Sequence, residues 1–408
     1  MADAAATLGA AGDRLGARAR GTQGKLFGLV LGTSLLSVVT LGLYSFWHRT
    51  RVRRWLWSSL EVGGAPFEYV GRPLEKLTGF VFAAVLIGVW LGVVTMILVW
   101  ASLNLFLSPL PGALATAALI VPVWLWAQYR GMRYLLGHTL WRGIAFRMEP
   151  GAWGYMLRAL LWGAATLLTL GLLEPLRRRA LWRYRVERTW WGDARLAFAA
   201  RAGDLYRVFL PVLASLLAIV AIGVGLSIEA SGQRGAPSGS GVFVLILAVL
   251  GAIVLWVRWK VRSWAILASG IRLEGGAALT AAPRTGRVIG IHLLGALATS
   301  MILGVLFYAI AAVVGIGALA TLEAGGPLDP DDLPVGWIVA GFVAAYLALY
   351  VLRGAFRMVF VTFPLIRHVA DTMVVTDAAR LDAVRRGEGD FMADADGFAN
   401  LFDTGAGI

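Results

Sequence analysis

The 408-residue sequence contains no cysteine, which excludes disulfide bonds, thiolate metal sites and cysteine nucleophiles. Charged residues are scarce as well, because Asp, Glu, Lys and Arg make up 15% of the chain, against about 25% in soluble domains. The hydrophobic share is 59% and the mean hydropathy is +0.73. This composition is that of a polytopic membrane protein.

Common catalytic and nucleotide-binding motifs are also missing. The sequence has no HExxH, GxSxG, GxGxxG or Walker motif. No pair of its four histidines has metal-ligand spacing; they are His48, His138, His292 and His368. A nucleophile, a base and an orienting group cannot be assembled from the residues present. We therefore expect no enzyme, no metal site and no cofactor.

Eight apolar segments stand out against the roughly 20 residues that a helix needs to cross a bilayer. They cover about residues 26–47, 77–106, 112–128, 159–173, 205–228, 242–257, 288–322 and 335–352. The centres of the second, third, sixth and seventh segments carry no Asp, Glu, Lys or Arg. Ion-coupled transport through intramembrane carboxylates is therefore disfavoured.

The links between these segments differ in charge, which predicts their orientation. Links 48–76, 129–154, 174–204 and 258–287 hold four to eight arginines each. The links 108–112, 229–241 and 323–334 are short or acidic, and the last holds four acids and no base. Because basic links stay on the cytoplasmic side, the first group is predicted to be cytoplasmic and the second periplasmic.

This orientation requires that the fourth segment does not span. Its 15 uncharged residues between Arg158 and Glu174 reach about 22 Å as a helix, against about 30 Å of hydrocarbon. The first segment also has basic flanks on both sides. We therefore predict an all-α membrane protein with six spanning helices in three hairpins and two re-entrant or interfacial segments, 26–47 and 159–173. The alternative is eight full spans, with links 48–76 and 129–154 outside.

These two segments share a sequence. Residues 40–54 read TLGLYSFWHRTRVRR and residues 169–183 read TLGLLEPLRRRALWR. The offset of 129 residues aligns Thr40 with Thr169 and Gly42 with Gly171. The pattern indicates an internal repeat of membrane units with basic exits.

The cytoplasmic links contain runs that alternate between apolar and polar residues and end in turn residues, which predicts short β-hairpins. The runs are RWLWSSLEVGGAPFEYVG, RYLLGHTLWRGIAFRMEPG, RYRVERTWWGDARLAFAARAG and RSWAILASGIRLEGG, with RHVADTMVVTD as a truncated fifth copy. Several such strands on one side of the membrane can pair into a small sheet that covers open edges.

Four regions follow from these patterns. Residues 1–25 are predicted to be a mobile arm, 26–204 the half with the TLGL segments, and 205–376 the second and third helical hairpins. Residues 377–408 form an acidic tail with seven acids against three arginines. We expect the tail to dock on the basic links, with apolar contacts from Phe391, Phe398, Leu401 and Phe402. A disordered acidic tail is the alternative.

Six stretches of the chain form a recognisable set: TLGLYSFWHRTRVRRW, GGAPFEYVGRPLE, RYLLGHTLWRGIAFRMEPGAWGYMLRALLW, TLGLLEP, RYRVERTWWGDARLAF and GEGDFMADADGF. This set resembles the YjgN-like family, polytopic inner-membrane proteins of bacteria built around a domain of unknown function. The chain departs from the family pattern at Leu60, Leu173, Pro175 and Leu176. The resemblance implies an inner-membrane location and fold, and it brings no catalytic or binding residues.

Pairs of arginines three or four residues apart follow the apolar segments, and we call them arginine ladders. On a helix this spacing puts both members of a pair on one face. Guanidinium groups suit phosphate oxygens, so the ladders are candidates for binding an anionic head group, with topology anchoring as the other interpretation. The candidate residues are Arg49, Arg53, Arg54, Arg130, Arg133, Arg179, Arg183, Arg258, Arg262, Arg353 and Arg357.

The formal net charge is +13. Because the arginines that carry this charge flank apolar runs, anionic lipids are expected partners and nucleic acid is not. We expect a multi-pass protein of the bacterial inner membrane, with a cytoplasmic C-terminus, that binds or transports an anionic amphiphile or lipid from the cytoplasmic leaflet. The alternative is a membrane scaffold that recruits a cytoplasmic protein through its loops and acidic tail. A second copy of the chain is a further candidate partner.

Overall fold

The computed structural model describes residues 14–233, 239–274, 276–323 and 335–385. Within these ranges the α-helices are α1 Gln23–Val39, α2 Ser45–Ser59, α3 Pro73–Phe106, α4 Leu110–Gly137, α5 Ala152–Leu168, α6 Glu174–Val186, α7 Ala202–Gln233, α8 Gly239–Ala268, α9 Thr285–Glu323, α10 Val335–Arg357 and α11 Phe363–Ala370. A π-helical turn, Met358–Thr362, joins α10 to α11. The strands are β1 Arg14–Ala19, β2 Leu60–Val62, β3 Ala65–Tyr69, β4 Thr139–Trp141, β5 Ile144–Met148, β6 Thr189–Trp191, β7 Ala194–Phe198, β8 Ile271–Leu273, β9 Ala278–Ala281 and β10 Met373–Thr376.

Six helical stretches in the described residues are long and apolar enough to cross a bilayer. They are Ile87–Phe106, Leu110–Gly137, Ala202–Gly232, Gly239–Ala268, Thr285–Val313 and Val339–Ala370. These match the six segments that were predicted to span, so that number is confirmed. Helix α3 packs against α4, and α7 packs against α8.

The remaining two apolar segments form short helices that end in a turn. Helix α1 and helix α5 have 17 residues each, or about 25 Å, which is shorter than the hydrocarbon core. A turn then leads from α1 into α2 and from α5 into α6. Within the part of the chain that the structure describes there are thus six candidate spans rather than eight. Whether the two short helices re-enter the membrane stays a prediction.

The two TLGL turns have the same backbone conformation. In the first, Leu41 and Gly42 have φ angles of 49° and 91°, and in the second, Leu170 and Gly171 have φ angles of 51° and 91°. Gly42 N–H donates to the carbonyl oxygen five residues earlier, Ser37, and Gly171 N–H donates in the same way to Thr166. A left-handed conformation is unfavourable for leucine. Both leucine side chains are also exposed, at 96% and 91%.

Gly171→Ala should lower the stability of the α5–α6 turn, because a Cβ atom makes the left-handed conformation cost about 1 kcal/mol more. Gly163→Ala is the matched control, since a Cβ atom at either position has no heavy atom within 4 Å and Gly163 lies within α5. Alanine in a helix should be neutral or stabilising. Thermal unfolding in detergent measures both, and equal midpoints for the two variants would contradict the turn assignment.

The ten strands form a closed antiparallel barrel in the order β1-β10-β9-β8-β7-β6-β5-β4-β3-β2. The predicted strand runs therefore form strands, and RHVADTMVVTD supplies β10. Two tight turns explain the local pairing. Gly63 with Gly64, and Arg142 with Gly143, all have positive φ angles, as type I′ hairpin turns require. The sheet has no open edge in the described residues, which goes beyond the small sheet that the sequence predicted.

The N-terminal stretch contributes to this closure. Leu15 in β1 pairs with Val375 in β10, and Gly63 N–H donates to Gly16 O across the other side of β1. The arm predicted over residues 1–25 thus contains a strand over Arg14–Ala19, and residues 23–25 begin α1. Residues 1–13 lie outside the described residues. The alternation of apolar and polar residues did not predict this strand, because RLGARA contains few apolar residues.

The barrel encloses an aromatic core. The Trp141 and Trp191 ring centroids are 4.8 Å apart, and Phe67 and Phe146 stack within 6.5 Å of these rings. Aliphatic residues from the other strands complete the core; they include Leu15, Val62, Leu196, Leu273 and Val375. Burial of this cluster holds together strands of three to six residues, which could not be stable as isolated hairpins.

A short 3-10 helix after β10, Ala378–Ala383, packs on the aromatic core of the barrel through Ala378 and Leu381, and we call it the cap. Its Leu381 is buried in the aromatic core. Arg142 donates to Asp382 at 2.8 Å, Asp193 N–H donates to Arg385 O, and Arg385 N–H donates to the Asp193 carboxylate. The tail was predicted to dock on the basic links, and residues 377–385 do contact them. The four apolar residues predicted for this role, Phe391, Phe398, Leu401 and Phe402, lie outside the described residues.

Gly192→Ala should release this cap, because a Cβ atom there would collide with the Arg385 carbonyl oxygen. Gly143→Ala is the matched control: it is another hairpin-turn glycine with positive φ, but a Cβ atom meets nothing within 4 Å. Hydrogen exchange of residues 378–385 should be faster than in the parent in the Gly192 variant alone. Equal exchange in both variants would show that the cap does not depend on this contact.

The chain divides into two compact units, each discontinuous in sequence. The first holds the barrel strands and helices α3 to α8. The second consists of Ala19–Ser59 and Gly286–His368. Its core is a cluster of α1, α2 and the α10–α11 region: Leu26, Val30, Val52, Leu56, Ala355, Val359 and Phe363. The regions predicted from sequence were continuous, since sequence does not show which distant segments pack together.

Candidate anion-binding site

A pocket of about 800 Å³ lies where α7 begins, α8 ends and strands β8 and β9 approach them. Five charged residues line it: Arg201, Asp204, Arg258, Arg262 and Arg272. We call it the arginine pocket. Four cations and one anion give these lining residues a formal charge of +3. The pocket is therefore suited to an anionic group.

The rest of the lining is mainly apolar. It consists of Ala199, Ala200, Val208, Ala265, Ile266, Ser269, Gly270, Ala281 and Ala282. Guanidinium groups beside small and branched aliphatic side chains make a surface that can contact both a charged and an apolar part of one molecule.

Helix α8 positions two of the arginines. Arg258 and Arg262 are four residues apart and are both exposed, whereas Trp259 and Ser263 on the neighbouring face are fully buried. Phe209 of α7 packs on Trp259, with ring centroids 5.0 Å apart. The ladder predicted from spacing thus lies along one wall of the pocket because the neighbouring face of α8 is fixed in the core.

Strand β8 and the start of α7 supply the other two arginines. Arg272 pairs with Ala197 of β7, and its neighbour Leu273 is buried in the barrel core, so Arg272 lies on the outer face. Arg201 immediately precedes α7. Asp204 lies 3.8 Å from Arg207, an exposed pair that contributes little to stability.

Sequence reasoning missed Arg201 and Arg272, because neither has a partner three or four residues away on a helix. Strand alternation gives the signal for Arg272, since it stands between the apolar residues Ile271 and Leu273 in a predicted strand run. That alternation predicts an outward side chain, but it does not tell which helix this face approaches.

Helix α6 packs on the buried face of α8 through a charged side chain. Arg178 Nη1 donates to Ser263 Oγ at 2.8 Å, and its guanidinium carbon lies 5.5 Å from the centre of the Trp259 ring. Burial lowers the pKa of Arg178. Arg177 forms a two-point contact with Glu174 at 2.6 and 3.0 Å, and this hydrogen bonding raises the pKa of Arg177. Arg178 thus fixes α6 against α8, whereas the Arg177–Glu174 pair lies within α6.

Several predicted ladder arginines are engaged elsewhere. Arg133 Nε donates to Met148 O, Arg179 Nε donates to Ala200 O, and Arg183 Nε donates to the Glu187 carboxylate. Arg130 lies over the Trp126 ring at 4.6 Å. The remaining candidates belong to the second compact unit: Arg49, Arg53, Arg54, Arg353 and Arg357. The structure thus brings two of the eleven candidates, Arg258 and Arg262, into the arginine pocket.

The histidines in the described residues contact protein groups. His48 Nδ1 lies 2.6 Å from Thr33 Oγ1, and His138 Nδ1–H donates to Tyr134 O at 2.9 Å. Burial lowers the pKa of both imidazoles. His292 contacts Val288 O within its own helix. Across the described ranges no cluster of three His, Asp or Glu side chains could hold a metal ion.

Comparison with known proteins identifies relatives. A family model described as bacterial protein of unknown function, DUF898, matches residues 17–315. Inner membrane protein YjgN of Salmonella typhimurium is 29% identical over 140 residues, which cover 33% of this chain and 32% of that protein. No solved structure matches the chain. The predicted resemblance is confirmed, and the relative together with the six apolar helices indicates a multi-pass inner-membrane protein.

Proposed function

The chain belongs to the DUF898 family of bacterial proteins of unknown function, and we propose that it binds an anionic amphiphile, such as an acidic phospholipid, in the arginine pocket. The observation that carries this proposal is the convergence of Arg201, Arg258, Arg262 and Arg272 on one pocket of about 800 Å³ with an apolar lining. Guanidinium groups bind phosphate oxygens through paired hydrogen bonds.

The position of the pocket favours a lipid over a free anion. Helices α7 and α8 are candidate membrane spans, and the pocket lies at the first turn of α7 and the last turns of α8. A head group there would lie beside helices whose exposed side chains are apolar, including Leu210, Leu216 and Val254. An acyl chain can follow these side chains while the head group contacts the arginines.

Membrane orientation supports access from the cytoplasmic leaflet. The pocket arginines belong to the basic links that stay inside under the positive-inside rule. The barrel continues from the same helix ends, because Ala268 ends α8 and Ile271 begins β8. We place the barrel, the arginine pocket and the C-terminus on the cytoplasmic side.

The TLGL turns fit a role at the membrane as well. Leu41 and Leu170 are strained in backbone conformation and exposed to a degree that is unfavourable in water. Insertion of each turn into the lipid would remove the unfavourable exposure of its leucine side chain to water. We therefore propose that α1–α2 and α5–α6 are re-entrant hairpins.

The proposed role is non-enzymatic binding or transfer of the amphiphile. The scaffold alternative loses its main support, because the loops expected to recruit a partner pair with one another in the barrel. A cytoplasmic partner or a second copy remains a prediction.

Replacing Arg258 and Arg262 with Gln should weaken binding of an acidic phospholipid about 30-fold, because each basic residue near a membrane surface contributes about 1 kcal/mol. The matched control is Arg353→Gln with Arg357→Gln, a ladder of the same spacing outside the pocket lining. Native mass spectrometry of the protein with phosphatidylglycerol measures both. The same loss in both pairs, or no loss in either, would contradict the proposal.

Cysteine substitution tests the re-entrant turns, because any introduced thiol is the sole one in the chain. In oriented vesicles, Leu41→Cys and Leu170→Cys should resist a membrane-impermeant maleimide from both sides and react with a lipid-soluble one. Ser58→Cys, at an exposed position near the end of α2, is the control and should react from the cytoplasmic side. Reaction of the two turn cysteines from the periplasmic side would favour full spans instead.

A further inference from the structure

The arginine pocket contains one acidic side chain among its four arginines. Asp204 stands in the first turn of α7 and lines the pocket together with Val208, one turn further along the helix. Leu205 and Phe209, on the neighbouring face of α7, are buried in the core. Burial of that face fixes the rotation of α7 and keeps the Asp204 carboxylate in the wall of the pocket.

The Asp204 carboxylate can accept further hydrogen bonds. Across the described ranges its one cationic neighbour within 4 Å is Arg207, at 3.8 Å, which is longer than a hydrogen bond. Glu174 of α6 is different, because Arg177 donates to both of its carboxylate oxygens at 2.6 and 3.0 Å. Both oxygens of an ionised carboxylate are acceptors. A donor in the arginine pocket would therefore find an acceptor there.

The internal repeat provides a second acid at the same helix position but outside the pocket. The offset of 129 residues that relates the two TLGL segments also aligns Glu75 with Asp204. Both lie in the first turn of a long helix, α3 or α7, where an acid stabilises the helix N-terminus. Arg133, which the same offset aligns with Arg262, donates to Met148 O. The two acids thus share the position at a helix start, and Asp204 alone of the two lines the arginine pocket.

The charges in the pocket limit the chemistry of the head group. A phosphodiester has one negative charge and no donor, so guanidinium groups can bind it but it offers a carboxylate no hydrogen bond. A hydroxyl group on the alcohol of the diester can donate to a carboxylate and adds no charge. An ammonium group could also donate, but the four arginines would repel it. The pocket therefore suits a phosphodiester whose alcohol carries a free hydroxyl.

We propose that Asp204 selects the head group: the arginines bind the phosphate of an anionic phosphodiester lipid, and Asp204 accepts a hydrogen bond from a hydroxyl on the head-group alcohol. Glycerol and other polyol head groups have this chemistry. The selection rests on the proposed binding of an anionic amphiphile in the arginine pocket, and Asp204 is a specificity-determining residue within that site.

Two lipids that differ in their hydroxyl groups test this selection on the full-length protein. Phosphatidylglycerol and phosphatidylpropanol with the same acyl chains are both phosphodiesters with one negative charge, and only the first carries hydroxyls. Native mass spectrometry of the protein in detergent measures the affinity for each. Phosphatidylglycerol should bind about tenfold more tightly, which is the lower end of the effect of a hydrogen bond to a charged group. Phosphatidylethanolamine, which carries an ammonium group, should bind more weakly than phosphatidylglycerol.

Asp204→Ala should remove the preference for phosphatidylglycerol over phosphatidylpropanol, because the acceptor is lost. Glu75→Ala is the matched control, since it removes the same charge from the same turn of the aligned helix, outside the pocket lining. This control should keep the tenfold preference. The ratio of the two affinities is the informative quantity, because a change in helix stability or in net charge alone would affect both lipids equally.

Equal affinities of the parent for the two diesters, or a preference that persists in folded Asp204→Ala, would overturn the selection by Asp204. Tighter binding of phosphatidylethanolamine than of phosphatidylglycerol would also overturn it, because the donor would then be an ammonium group. Arg258→Gln with Arg262→Gln separates the two levels. If this pair leaves both diesters bound as in the parent, the proposed function fails and the selection fails with it. If the pair weakens both diesters while Asp204→Ala leaves their ratio unchanged, the arginine pocket stands and the selection alone is wrong.

Discussion

Pairing of β1 with β10 is the contact on which the rest of the structure depends. It joins residues 14–16 to residues 374–376 and closes the sheet. Strands of three to six residues are too short to form stable hairpins alone. A ring of them satisfies the backbone groups on both sides of every strand and removes the open edges that promote aggregation. The two ends of the described chain are thereby joined in one sheet.

Barrel closure also sets where three helices of the first compact unit end. Helices α4, α6 and α8 each end within three residues of the next strand. The exit arginines of those helices are therefore held near the barrel. In α8, the buried residues Trp259 and Ser263 fix the rotation of the helix, so that Arg258 and Arg262 line the arginine pocket. The position of Arg272 relative to Arg258 and Arg262 therefore depends on the short connection from the end of α8 to the start of β8.

Local patterns in the sequence predicted the elements well. Apolar length and the basic links on both sides marked 159–173 as a segment that does not span, and alternation with Gly turns predicted the runs that contain β2 to β8 and β10. Strand β9, Ala278–Ala281, lies just after the predicted run that ends at Gly276 and was not predicted. The Gly42 and Gly171 positions marked two turns that adopt the same φ angles. Each of these features depends on neighbouring residues and on periodicity.

Long-range features were beyond such reasoning. The sequence RLGARA has no clear strand pattern, and β1 forms because β10 and the β2–β3 turn provide partners more than 40 residues away. Arg201 and Arg272 reach the arginine pocket through the packing of α7 and β8, which no spacing rule encodes. The cap over the barrel likewise depends on Leu381 meeting an aromatic core assembled from several distant strands.

The structure separates two chemistries on the two faces of one strand. The outer face of β8 carries Arg272 toward a charged pocket, and the inner face carries Leu273 toward an apolar cavity. Two leucine-tipped turns, at Leu41 and Leu170, add apolar surface whose exposure is unfavourable in water. The proposed binding of an anionic head group would account for the charged pocket, and the proposed insertion of the two turns into lipid would account for the exposed leucines.

The most direct measurement is an electron cryomicroscopy map of the protein in nanodiscs that contain an acidic phospholipid. We expect density for a phosphate group within hydrogen-bonding distance of at least two of Arg201, Arg258, Arg262 and Arg272, with an acyl chain along α7 or α8. Ordered lipid elsewhere on the protein, together with a pocket that contains only solvent, would contradict it.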